Sequence, residues 1–121
     1  MDELQAVLTA LSALRAPRVQ DEYDLHAQVG AALEAAALSF RHEAPLAPRR
    51  RADYLCGSVV IEIKRGRPRT AALMRQLSGY AESPLVSAVV VVSERLPALP
   101  ETVCGKPLRA IGLQRLWGVA L

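Results

Sequence analysis

Residues 49 to 64 read Arg-Arg-Arg-Ala-Asp-Tyr-Leu-Cys-Gly-Ser-Val-Val-Ile-Glu-Ile-Lys, and this stretch decides the fold. Two strand-like runs flank Gly57-Ser58, and Gly followed by Ser is the signal of a type II′ hairpin turn. A turn there pairs Cys56 with Val59, Leu55 with Val60, Tyr54 with Ile61 and Asp53 with Glu62. The two carboxylates then lie directly opposite each other, with Cβ atoms roughly 5 Å apart. Period-two alternation adds Lys64 to the face of Glu62 and turns Val59, Ile61 and Ile63 the other way, into a core. Opposed like charges destabilise a sheet. Two acids and a lysine at one spot therefore suggest a divalent cation and a phosphate.

The surrounding charge fits that reading. The chain carries a formal +3, yet residues 49 to 75 alone hold eight of its fifteen basic residues: Arg49, Arg50, Arg51, Lys64, Arg65, Arg67, Arg69 and Arg75. Asp53 and Glu62 are the only acids in that window, which makes it +6 and leaves −3 for the rest. A polyanion drawn in by such a field arrives at the acids.

Working outward, 121 residues are enough for one domain with one substantial core. A chain 51% hydrophobic and 4% aromatic has the composition of a soluble α/β protein. No apolar run approaches the length of a membrane span, and the N-terminus is acidic, unlike a signal peptide. Two cysteines, Cys56 and Cys104, are too few for a disulfide framework or an iron–sulfur site, so a reduced, cytoplasmic setting is expected. Helical spacing of apolar residues predicts a helix over 2–15 and a second over about 20–38. A strand over 38–46 precedes the hairpin strands 51–56 and 58–64. A third helix, capped by Thr70, runs to about 82. The apolar run 86–93 reads as a buried central strand, 97–107 as a loop, 108–113 as a last strand, and Leu116 and Trp117 as an apolar turn. The order is ααβββαββ: an α/β fold with a mixed β-sheet flanked by helices.

Asp53, then eight residues, then Glu62-Ile-Lys64 resembles the PD-(D/E)XK nuclease superfamily. Gln76-Leu-Ser-Gly-Tyr80, on the helix after the lysine strand, resembles the Gln-x-x-x-Tyr of its RecB-like branch. Spacing of four puts Gln76 and Tyr80 on one helix face. The similarity covers about residues 19 to 93, and the only departure within the motif is Ala52, where a proline often stands. The resemblance implies a restriction-endonuclease-like core and a deoxyribonuclease that uses Mg²⁺ or Mn²⁺ and no iron–sulfur cluster. It further implies that Asp53 and Glu62 hold the metal, that an acid or histidine of the second helix joins them (Glu22 and His26 are both candidates), and that Lys64 holds the attacking water or the scissile phosphate.

His26 and His42 have a structural reading as well. The arginines Arg49, Arg50, Arg51, Arg65, Arg67, Arg69 and Arg75 are expected to grip phosphates, which positions a strand without reading its sequence. DNA is the expected partner, in repair, recombination or phage DNA processing. The Gln-x-x-x-Tyr motif leans toward ends or single strands, and the small size toward a homodimeric junction resolvase. A helicase or recombination partner would supply any unwinding. The competing reading is a nucleic-acid-binding protein that keeps the fold without the chemistry.

Overall fold

The computed structural model describes residues 1–14 and 21–113. Its elements are α1 (Glu3–Leu11), α2 (Glu22–Ala35), β1 (Arg41–Ala47), β2 (Arg50–Cys56), β3 (Val59–Lys64), α3 (Thr70–Ala81), β4 (Ala88–Ser93), β5 (Thr102–Val103) and β6 (Lys106–Gly112). The order expected from sequence recurs with one addition. The proline-punctuated segment expected as a loop contains β5, which turns at Cys104-Gly105 to pair with the start of β6. The apolar turn expected at Leu116 and Trp117, and the helix break at Pro17, lie outside the described residues.

The six strands form one sheet in the order β1-β2-β3-β4-β6-β5. β1, β2 and β3 are antiparallel neighbours, β3–β4 and β4–β6 are parallel, and β5–β6 is antiparallel. The parallel centre follows from the sequence. β3 (VVIEIK) and β4 (AVVVVS) are apolar almost throughout, as strands covered on both faces must be. One face packs Val59, Ile61, Ile63, Val90 and Val92 beneath α1 and α2; the other packs Val60, Val89 and Val91 beneath Leu73, Leu77 and Tyr80 of α3. Three layers result, with Glu62 and Lys64 on the α3 side.

Local chemistry sets the ends of the elements. Asp2 caps α1 and Asp21 caps α2, each accepting from a backbone N–H three residues on. For α3 the sequence expectation needs correction: Arg69, not Thr70, occupies the cap position, and no side chain bonds the free N–H groups there. Gly57 takes φ +61, the left-handed first position that a II′ turn requires. The Glu3 carboxylate then accepts from both the Ser58 N–H (2.8 Å) and its hydroxyl (2.7 Å), tying α1 to the hairpin turn.

Candidate active site

The predicted register holds through three pairs: Cys56–Val59, Leu55–Val60 and Tyr54–Ile61. At Asp53 it changes. Asp53 is not ladder-paired with Glu62; its Oδ2 instead accepts the Ile63 backbone N–H at 2.8 Å. The strand also turns over here, since Ala52 packs beneath α3 whereas Tyr54, two residues on, packs beneath α2. On the neighbouring strand Glu43 adopts φ +53, a strained left-handed conformation for a non-glycine residue. The acid thus sits at a bend of β2, and its side chain takes the part of a backbone acceptor. Face-to-face opposition gives way to a carboxylate anchored on the opposite strand.

Glu62 is the exceptional residue of the sheet. It lies in the middle of β3 between Ile61 and Ile63 and is only 2% exposed. Its Oε2 meets the Lys64 ammonium at 3.2 Å, whereas Oε1 is buried and has no hydrogen-bond partner among the described residues. An unsatisfied buried carboxylate oxygen costs free energy that a purely structural residue would not be expected to incur. Burial, and then the Asp53 charge, push the Glu62 carboxyl up to about 7, against the opposing pull of Lys64 and of the nearby Tyr80 hydroxyl. Its charge in turn adds to burial in raising the Tyr80 hydroxyl above its ordinary range.

α3 covers this spot with the expected pair. Gln76 Nε2 donates to the Tyr80 hydroxyl at 3.0 Å, and that hydroxyl donates to the Arg51 carbonyl at 3.0 Å. Tyr80 therefore joins the helix to β2 just before the bend at Asp53. On the opposite side of the sheet, His26 Nε2 of α2 approaches Asp53 Oδ2 to 3.9 Å. Its Nδ1 lies 3.0 Å from Nε2 of His42, which stacks on Tyr54 with ring centroids 4.4 Å apart. The Tyr54 hydroxyl donates to the His26 carbonyl at 2.8 Å, closing the group.

Of the two helix candidates, His26 approaches Asp53, whereas Glu22 is exposed at the start of α2. Helical spacing aligns Glu22 with the buried stripe, but as the first residue of α2 it is exposed. The arginines also divide. Arg49, Arg50 and Arg51 line a cavity of about 410 Å³ with Gln76 and Tyr80. Arg65 is bound to Glu94 at 3.1 Å, and Arg67 lines a separate cavity of about 680 Å³ beside β6, together with Glu94 and Arg109. Arg69 and Arg75 are exposed at the start and in the middle of α3. The cluster that is continuous in sequence is therefore two clusters in space.

Sequence reasoning gave His42 only a structural reading and passed over Gly79. His42 is cross-strand partner to Tyr54, and the alternation of β1 contained that signal. Gly79 sits inside the Gln-x-x-x-Tyr segment, and a glycine within a helix, about 1 kcal/mol worse than alanine, signals close approach by another group. Among the described residues no three His, Cys, Asp or Glu side chains converge as a ready-made metal cage. The available donors are the free Glu62 oxygen and Asp53 Oδ1. That set suits a hard cation such as Mg²⁺, which takes one or two carboxylates and fills its other positions with water and phosphate.

No family model, curated protein or solved structure matches this chain.

Proposed function

We infer that the protein is a metal-dependent nuclease that hydrolyses phosphodiester bonds of DNA. The observation that carries this reading is the buried Glu62 carboxylate, which has one oxygen on Lys64 and the other with no hydrogen-bond partner among the described residues. A binding module has no use for such a group. A site for Mg²⁺ or Mn²⁺ does, and Asp53 at the bend of β2 supplies the second carboxylate. When bound, the cation would lower the pKa of a water and offset negative charge gathering on the phosphate.

The chain's own residues account for the rest. Water oxygen bonds to phosphorus and releases one proton, the ester P–O bond breaks, and the departing oxygen takes up a proton. Lys64 lies beside Glu62 on the same face, where its ammonium orients the water or a phosphate oxygen and opposes the developing charge. Glu62 holds that ammonium in place. Gln76 and Tyr80 fix the helix against β2, so the wall facing the phosphate is rigid. His26 abuts Asp53 and limits its rotation. Arg49, Arg50 and Arg51 line the adjoining cavity and are suited to backbone phosphates, which position the strand without selecting its sequence.

The test is a gel assay on single-stranded, duplex and branched DNA with Mn²⁺, with Mg²⁺ and with EDTA. Cleavage that requires the metal and vanishes in Asp53→Asn and Lys64→Ala is the expected result. Undiminished cutting in EDTA, or by either variant, refutes the assignment.

A further inference from the structure

We propose that Gly79 and Arg50 form a clip that holds one phosphate group, with Gly79 as the positioning residue. Gly79 is buried near the C-terminal end of α3 at an ordinary negative φ, so no backbone conformation demands glycine there. What demands it is the Arg50 side chain. A Cβ on Gly79 would fall within the Arg50 guanidinium, which lies directly on the helix backbone. The absence of a side chain at 79 is thus what seats Arg50.

A guanidinium seated this way, on an exposed residue, is open to an anion. Among the described residues no carboxylate pairs with Arg50, whereas Arg51 reaches Glu43 at 4.0 Å and Arg65 reaches Glu94. Among the described residues the cavity in front of it is lined by Arg49, Arg50, Arg51, Gln76 and Tyr80 and by no acid. At about 410 Å³ it has room for a phosphate and the sugar attached to it. Arginine's planar fork suits a phosphate's paired oxygens. The cavity shares Gln76 and Tyr80 with the wall over Glu62, so the bound phosphate would be a near neighbour of the one attacked. That last placement rests on the nuclease reading; the anion site itself does not.

The clip makes Gly79 act through Arg50 alone, which a structural role for the glycine would not do. The experiment compares wild type, Gly79→Ala, Arg50→Gln and the double variant. One measurement is the melting temperature in inorganic phosphate against chloride at equal ionic strength. The other is the salt dependence of single-stranded DNA affinity, with Ca²⁺ in place of Mg²⁺. Phosphate is expected to raise the melting temperature of wild type and of none of the variants. Without phosphate, Gly79→Ala is expected to melt no lower than wild type, because only the end of a flexible side chain must move. The slope of log K against log salt is expected to become shallower by about 0.7 in each single variant, one contact's worth, and by no more in the double variant.

A phosphate response in Gly79→Ala equal to that of wild type overturns the clip. So does a double variant that loses twice the slope of either single one. Arg50→Gln leaves α3 untouched, so an unchanged phosphate response there overturns the site even if Gly79→Ala misfolds. A phosphate response that depends on both residues in a protein that never cuts DNA sinks the nuclease reading and leaves the clip standing.

Discussion

Replacing Glu62 by Gln keeps the shape of the side chain and removes the charge that the sheet tolerates poorly. The native carboxyl is raised from 4.5 to about 7, so the folded state holds its proton more tightly than the unfolded chain does. Stability from this group is fully present below about pH 4.5 and is lost as pH rises through about 7. The loss is on the order of 3 kcal/mol, at roughly 1.4 kcal/mol for each pH unit between the two values. Glu62→Gln has no such loss. In EDTA the variant is therefore expected to match wild type near pH 4.5 and to exceed it by about 2–3 kcal/mol at pH 8.5. Urea denaturation at both pH values, with the slope m checked for constancy, gives the difference directly. Added Mg²⁺ at pH 8.5 is expected to narrow the gap, because the ion stabilises only the protein that still has the carboxylate. A variant less stable than wild type at pH 8.5, or a gap that does not change with pH, refutes the reasoning: the orphaned oxygen would then have a partner.

Three further outcomes follow from neighbouring contacts. Asp53→Ala strips the Ile63 N–H of its acceptor and is expected to cost about 1–3 kcal/mol, whereas Asp53→Asn retains an acceptor oxygen and costs little; urea midpoints separate them, and equal costs would deny the cross-strand bond. Lys64→Met removes the charge that holds the Glu62 carboxyl down, so the fall in stability with rising pH is expected to extend above about 7, read from the same denaturation series. Tyr80→Phe removes the bond to the Arg51 carbonyl and is expected to lower stability by about 1 kcal/mol with an unchanged m-value; a neutral result would show that Tyr80 is held by packing alone.

The parts legible in the sequence are those governed by periodicity and by turn chemistry. The Ile61-Glu-Ile-Lys64 end of VVIEIK alternates apolar with polar, so the faces of Glu62 and Lys64 follow without any tertiary knowledge, and Gly57-Ser58 sets the register from its own backbone preference. Gln76 and Tyr80 meet because four residues make one helical turn. Harder to read was anything that depends on how one element crosses another. The bend at Asp53 arises where β2 passes from one core to the other, so simple alternation misplaced its carboxylate. Glu22 has helical spacing in its favour, but as the first residue of α2 it is exposed, ahead of the buried stripe that begins at Leu25. The split of the arginines depends on the Glu94 partner, 29 residues from Arg65 and one residue past the end of β4. β5 was missed because two residues carry no periodicity.

The bond from Asp53 to the Ile63 N–H also bears on how the molecule assembles. It joins the alignment of β2 on β3 and the location of an acid into a single event. A hairpin slipped by one residue would turn its apolar set outward and, in the same step, carry Asp53 away from that N–H and from Glu62. Misregistered chains would thus have no paired carboxylates with which to draw in a cation. Any chemistry the two acids perform is confined to molecules that have already folded correctly, so the hairpin serves as a built-in check on quality before the site can exist.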